Sequence, residues 1–331
     1  MTSTLPILDL ARFDGDDVTR TAFLADLRHA ARHVGFFYLT GHGIDPALVE
    51  AVQAQARAFF ALPEAAKLEI EMVNSAHFRG YNRAAWELTR GQPDWREQID
   101  FGAEREAVPG GPDWTRLQGP NQWPSALPGM KPVILRWQQD LTALTIRLLR
   151  AFALALGQDE HALATLYDGA PHHIMKVVRY PGRDATASDQ GVGAHKDSGL
   201  LTLLLQDRQR GLQVETPDGW IDAEPLAGSF VVNIGELLEM ASDGYLRATL
   251  HRVVTPPAGT DRISVAFFMG ARLDATVPLL RLPADLAAEA RGPERDPGNP
   301  LFNDVGRNYL KGRLRSHPDV ARRHHADLIG A

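Results

Sequence analysis

Apolar residues recur at helical spacing over residues 18–33 and again over 45–61, where Pro46 falls in a first helical turn that tolerates it. Between the two, GFFYLTGHG (35–43) is short, aromatic and bounded by glycines, the pattern of a strand. Residues 131–156 carry a third, longer helical pattern that stops at Gly157. Residues 75–128 hold no period; rich in Gly, Pro and Trp, they are expected to lie irregularly over the rest of the molecule. From residue 172 the pattern shortens. IMKVVRY, GVGAH, LLTLLLQ, LQVET, WIDA, SFVVNIG, ATLHRVVT and RISVAFFM follow at close intervals, and the PDG between LQVET and WIDA suits a tight hairpin. Strands so evenly spaced point to a sandwich or a closed jelly roll. After Pro300 a basic stretch with helical spacing ends the chain. The expected fold is therefore mixed α/β with a mainly β core. A helical N-terminal region with at least one strand covers 1–170, the β core 171–280, and a C-terminal helical extension 281–331, with no linker between them.

Composition narrows the chemistry. The 331 residues are 44% hydrophobic, enough for a substantial core, and include no cysteine, which removes disulfides, thiolate zinc sites, iron–sulfur clusters and cysteine nucleophiles. Any metal must be held by His, Asp or Glu. A net charge of -6 argues against a phosphate-binding surface, so the expected partner is a small molecule and not a nucleic acid. The opening MTSTLPILDLARFDGDD acquires acids early, so no signal peptide is expected. Nowhere is there a run of about 18 apolar residues, so no membrane span is expected either, and the chain reads as cytoplasmic. Nothing in the pattern bears on oligomeric state.

Three HxD triplets occur: His195-Lys196-Asp197, His317-Pro318-Asp319 and His325-Ala326-Asp327. In a strand, residues i and i+2 face the same side, so the first would point one imidazole and one carboxylate together into a barrel while Lys196 points away. With a second imidazole this is a facial triad suited to iron(II), with open positions left for ligands. The other two triplets lie in the tail, outside any strand pattern, and show how cheaply the motif arises. A later apolar strand, ATLHRVV, carries His251. Alone, it could be a core histidine hydrogen-bonded to backbone; paired with an upstream HxD, it completes the triad. On the next strand Arg262 and Ser264 face one side, a pair that can grip a carboxylate through two N–H groups and a hydroxyl. Arg262 could equally serve a structural salt bridge at the barrel mouth. Asp261 faces the other way, so a bound carboxylate is the alternative partner.

Taken in order, GFFYLTGHGID (35–45), VRYPG (178–182), GAHKDSGLLTLLLQD (193–207), GLQV (211–214), VVNIGELLEMASDG (231–244), LHRVV (250–254), RIS (262–264) and YLKGRLRSHPDVARRHH (309–325) resemble the 2-oxoglutarate/iron(II) oxygenase superfamily, in its isopenicillin N synthase-like branch of plant and bacterial dioxygenases. The resemblance covers nearly the whole chain and is weakest over 75–128. It implies a distorted double-stranded β-helix, or jelly roll, as the catalytic core. It implies His195, Asp197 and His251 as ligands to Fe(II), and Arg262, Ser264 and Tyr180 as the grip on the distal carboxylate of 2-oxoglutarate. The implied activity couples O2 and oxidative decarboxylation of 2-oxoglutarate to hydroxylation, desaturation or cyclisation of a small molecule. Asp197, in place of Ala or Gly, leaves no ligand position for chloride, which disfavours halogenation. One position departs from the plant pattern: Val178 stands where Asn is usual. Isopenicillin N synthase also lacks that Asn, uses no 2-oxoglutarate and grips its substrate's carboxylate instead. An oxidase of that kind, an ethylene-forming fragmentation of 2-oxoglutarate, and a cupin-like binding module without turnover are the alternatives.

Specificity is expected from loops on the barrel mouth. Arg79, Tyr81, Arg83, Trp86, Arg96 and Phe101 are the candidates in the irregular region, and Phe268, beyond Ser264 on the same strand face, is expected to line the pocket. His172 and His173 read as structural. Arg307, Lys311, Arg313, Arg315, Arg322 and Arg323 read as a solvated helix face.

Overall fold

The computed structural model describes residues 4–329 other than Arg295 and Pro297. The three long helical patterns form helices at Asp17–His33, Pro46–Phe60 and Met130–Ala155. Asp16 and Asp45 start the first two, each accepting from a backbone N–H of the first turn (Thr19 at 2.8 Å, Ala47 at 2.9 Å). The 130–155 helix buries Ile134, Trp137, Leu141, Leu148 and Phe152 completely, and it packs on the two earlier helices and on the back of a sheet.

Fourteen strands are present among the described residues. In chain order they are β1 (Ile7–Asp9), β2 (Phe36–Thr40), β3 (Gly80–Asn82), β4 (Leu88–Thr89), β5 (Gln92–Pro93), β6 (Glu97–Gly102), β7 (His173–Tyr180), β8 (Gln190–His195), β9 (Leu201–Gln206), β10 (Leu212–Thr216), β11 (Gly219–Asp222), β12 (Phe230–Ile234), β13 (His251–Val254) and β14 (Arg262–Met269). Eight form one sheet, ordered β1-β2-β12-β9-β14-β7-β6-β3, and four form a second, β11-β10-β13-β8. Residues from both sheets line one interior cavity, as in a double-stranded β-helix.

Register sets which side chains meet inside. Tyr180 pairs with Arg262, Val178 with Ser264, Lys176 with Ala266 and Ile174 with Phe268 across β7 and β14. The rows continue outward. Gln98 lies beside Val178 and Asp100 beside Lys176 on β6; Thr202 lies beside Phe268 on β9 and Asn233 beside Thr202 on β12.

Two expectations are corrected here. Residues 75–128 are not simply a cover: β3 and β6 extend the main sheet. EQIDFG alternates over only four residues, Gln98 to Phe101, and β6 is buried on both faces, so its polar face meets other buried polar groups and not solvent. Nor is the basic tail wholly solvated. It forms helices at Val305–Ser316 and Pro318–His324, and Arg313 is buried, donating to Asp100 Oδ2 at 2.8 Å and to the Phe78 carbonyl at 2.8 Å. Arg307, Arg315, Arg322 and Arg323 are exposed as expected.

Arg313 belongs to a buried network. Asp100 also takes Lys176 Nζ at 3.2 Å; Lys176 reaches Glu87 at 2.9 Å, and Glu87 takes Arg96 at 2.9 Å. Burial pushes the Glu87 and Asp100 carboxyls up, but the cations win. Arg96 and Lys176 hold Glu87 well below its ordinary value, and Lys176 and Arg313 hold Asp100 below its own.

Arg313→Met, which strands a buried carboxylate, is expected to cost about 3–5 kcal/mol in urea unfolding, while Arg315→Met on the exposed side stays within about 0.5 kcal/mol. Depressed carboxyls also fix the sign of the pH dependence. Their contribution is complete above the unfolded values of 4.5 and 3.8 and is lost as pH falls through and below them, so unfolding free energy should decline below about pH 4.5.

Candidate functional site

His195 is the last residue of β8 and His251 the first of β13, and the antiparallel register sets them directly opposite each other, ring centroids 4.3 Å apart. Asp197 is not in the strand, as the HxD reasoning expected; it lies two residues past the end of β8, in the bend leading to β9. The turn is held by the Glu236 N–H, which donates to the Asp197 carbonyl at 2.8 Å. Its carboxylate nonetheless converges with the imidazoles. Asp197 Oδ1 is 3.5 Å from His195 Nε2 and 3.6 Å from His251 Nε2.

The orientation of each group has a cause. His195 Nδ1 lies 2.8 Å from the Gly193 carbonyl and His251 Nδ1 3.1 Å from the Thr249 carbonyl. A carbonyl only accepts, so both Nδ1 atoms carry the proton and both Nε2 atoms are free to coordinate. Asp197 Oδ2 accepts from Thr202 Oγ1 at 2.6 Å and from Asn233 Nδ2 at 2.8 Å, which leaves Oδ1 to face the imidazoles. Burial opposes ionisation of Asp197, yet the two imidazoles and the Thr202 hydroxyl hold its carboxyl below the usual range. Burial pushes His251 down to about 4, so it is neutral at pH 7. Burial pushes His195 down too, but its contact with Asp197 outweighs this and leaves it raised. One carboxylate and two imidazoles, all three donor atoms within 4.8 Å of one another, suit a divalent transition ion, and iron(II) in particular if open positions remain. Among the described residues neither tail triplet gathers such a donor set. His317 and His325 are buried beside Phe78, where His325 Nε2 donates to the Ala76 carbonyl at 2.8 Å.

Arg262, Ser264 and Tyr180 line the same cavity as the triad. Arg262 is wholly buried. Its Nη2 donates to Gln206 Oε1 at 2.8 Å, while Nε and Nη1 are buried with no partner, and the Tyr180 ring centre is 5.0 Å from its Cζ. No acid pairs with it; Asp261 bonds Arg179 outside, at 2.8 Å. Buried N–H groups without partners are rare, and a guanidinium with both Nε and Nη1 open has donors to spare for a bound carboxylate. Gly211 is part of its housing: at φ +151, a Cβ there would meet Arg262 Cδ at 3.2 Å.

Of the residues expected at the mouth, Arg96 and Phe268 line the cavity. The others do not. Arg79 is buried against the carbonyls of His77 and Leu117, Tyr81 donates to Glu97, and Phe101 stacks on Trp123. Arg83 pairs with Glu64 and Glu71 and Trp86 is exposed. Sequence reasoning missed Thr202, Asn233 and Lys176, each a polar residue in an apolar strand, and Phe36, which packs edge-on against His251 at 5.1 Å. A larger open groove between Trp114 and the 305–316 helix shares no residue with this cavity.

The family model described as the 2OG-Fe(II) oxygenase superfamily matches residues 171–271, and one described as the N-terminal region of non-haem dioxygenase in morphine synthesis matches 5–126. A 2-oxoglutarate-dependent dioxygenase of Dothideomycetidae sp. is 38% identical, covering 96% of this chain and 90% of that protein. Homoarginine-6-hydroxylase of Arabidopsis thaliana is 37% identical, covering 83% and 86%. Among solved structures, a full-length Neurospora crassa protein in complex with α-KG and thymine superposes with a TM-score of 0.75 at 26% identity, covering 97% of each chain. A 2OG-Fe(II) oxygenase family protein from Caulobacter crescentus gives 0.76 at 28%, covering 95% and 99%.

The Asp197 anchors make a prediction that the triad alone does not. Asn233→Ala and Thr202→Val should each weaken divalent-ion affinity by about 10–100-fold in chelator competition, with the fold intact, because Oδ1 loses its fixed aim. His317→Ala should leave that affinity unchanged.

Proposed function

The chain belongs to the 2OG-Fe(II) oxygenase superfamily, and from that premise we propose that His195, Asp197 and His251 hold its iron and that Arg262, Ser264 and Tyr180 hold the distal carboxylate of 2-oxoglutarate. The enzyme is a 2-oxoglutarate-dependent Fe(II) dioxygenase that oxidises a small molecule. The observation that carries the residue assignment is Arg262: a wholly buried guanidinium with two unpartnered N–H groups, in the same cavity as three convergent metal donors.

Iron with 2-oxoglutarate supplies the oxidising chemistry, consuming O2 and releasing succinate and carbon dioxide as the substrate is oxidised. The protein's part is placement. Asp197, clamped through Oδ2, would present Oδ1 to the ion, and the two histidines would present Nε2. Arg262 meets a carboxylate through a planar fork and thereby fixes the cosubstrate's distance and tilt. Val178, Leu204, Ala266, Phe268 and Phe36 supply apolar wall, which excludes water from the reacting groups. Val178 lies in the cavity wall, and the buried Gln98 lies beside it on β6. The order of the motifs and the match over 5–126 support assigning the chain to the isopenicillin N synthase-like branch.

Enzyme supplied with Fe(II), O2 and 2-oxoglutarate but no substrate should release succinate slowly. Arg262→Lys should weaken 2-oxoglutarate binding by about thirtyfold or more, since stranding a buried carboxylate costs roughly 2–5 kcal/mol. Succinate absent under all conditions, with iron bound, would contradict the assignment and favour an oxidase that draws all its electrons from substrate.

A further inference from the structure

The cavity holds a second arginine whose hydrogen bonds are incomplete. Arg96 immediately precedes β6, where Glu97 pairs with Arg179, so Arg96 falls alongside Tyr180, on the side of it away from Arg262. Its side chain is 11% exposed and lines the same space as the triad. Nη2 is held by two acids, Glu87 at 2.9 Å and Asp94 at 3.3 Å, and Nε is buried with no partner. The other cation in this wall is differently placed: Lys176 Nζ is occupied by both oxygens of Glu87, at 2.9 and 3.0 Å, and by Asp100 at 3.2 Å. Thus the acids brace the cations, while Arg96, which lines the cavity, keeps one N–H without a partner. Glu87, Asp94 and Asp100 do not line that space, so the charged side chains that face it from the β6–β7 wall are Arg96 and Lys176.

We propose that Arg96 is a specificity-determining residue that binds a carboxylate on the substrate. The proposal rests on the reading that Arg262 is taken by 2-oxoglutarate; with that site filled, Arg96 is the remaining guanidinium with a buried, unpartnered N–H among those lining the cavity. A buried donor left open costs free energy that a ligand acceptor recovers, and a charged acceptor recovers most. The bracing of Nη2 by Glu87 and Asp94 fixes the guanidinium before the ligand arrives, which lowers the ordering cost of binding. The substrate class is therefore a small carboxylic acid whose oxidised carbon faces the triad while its carboxylate lies against the β6–β7 wall.

The test uses whole enzyme with Fe(II) and 2-oxoglutarate, and reads stimulation of succinate release above the substrate-free rate. The probes are the standard L-amino acids, L-homoarginine and indole-3-acetate, each beside its carboxamide, with thymine as a neutral comparison. At least one acid is expected to stimulate, and its carboxamide should be weaker by about thirtyfold or more. Arg96→Gln should raise the KM of that acid by a similar factor while the KM for 2-oxoglutarate moves less than about threefold. Arg96→Lys, which keeps the charge against Glu87 and so guards against a folding defect, should fall between the two. Three results would overturn the proposal: stimulation by thymine or a carboxamide that Arg96→Gln does not alter, no stimulation by any acid, or a loss of 2-oxoglutarate affinity in place of substrate affinity. Failure of the wild type to release any succinate would instead sink the assignment of Arg262.

Discussion

A barrel interior gives water little access, so every charge placed there must find a partner inside the protein or wait for one. That constraint organises this molecule. Asp197 is satisfied twice over at Oδ2, by Thr202 and Asn233, and so has one oxygen left with a fixed direction. Glu87, Asp94, Asp100, Arg96, Lys176 and Arg313 satisfy one another along a chain of buried ion pairs. Of the arginines that line the cavity, Arg262 keeps two N–H groups open and Arg96 one. The paired charges build the site, and the open donors in the cavity wall are where a ligand acceptor fits.

The network also explains why elements distant in sequence belong to one catalytic body. Arg313 on the C-terminal helix reaches Asp100 on β6; Asp100 braces Lys176 on β7; Lys176 and Arg96 share Glu87, which comes from the segment covering the barrel. A change at Arg313 therefore bears on the cavity wall two ion pairs away. The covering segment is tied to the same wall through Asp94, which accepts from the Gly193 backbone N–H at 3.1 Å, two residues before His195. Since His195 is aimed by the Gly193 carbonyl, His195 and the covering segment are tied to one stretch of backbone.

Much of this was legible in the sequence, and the exceptions have physical reasons. The three long helices and the strands after residue 172 were readable because each buries one face and so carries a period. β6 is less legible: its alternation runs over four residues only, Gln98 to Phe101, and Gln98 and Asp100 face other buried polar groups and not solvent. The histidines could be placed on strands, but Asp197 was expected in β8 and lies in the following bend, because the geometry that converges the carboxylate comes from the turn into β9. Arg313 was read as solvated because helical spacing says where a face points and not what it meets; its partner Asp100 is more than two hundred residues away. Thr202, Asn233 and Lys176 carried a signal that was there to use, a polar residue in an apolar strand, but whether such a residue aims a ligand or braces a wall is decided only by register.

On the proposed assignment one cavity holds a metal on His195, Asp197 and His251 and a 2-oxoglutarate carboxylate on Arg262 at the same time. This is tested by an anaerobic titration of Fe(II) and 2-oxoglutarate into the protein. A weak visible charge-transfer band should appear, saturating at one iron per chain, that needs both components and is absent in Asp197→Ala. A protein that binds Fe(II) but gives no such band at any 2-oxoglutarate concentration would contradict it.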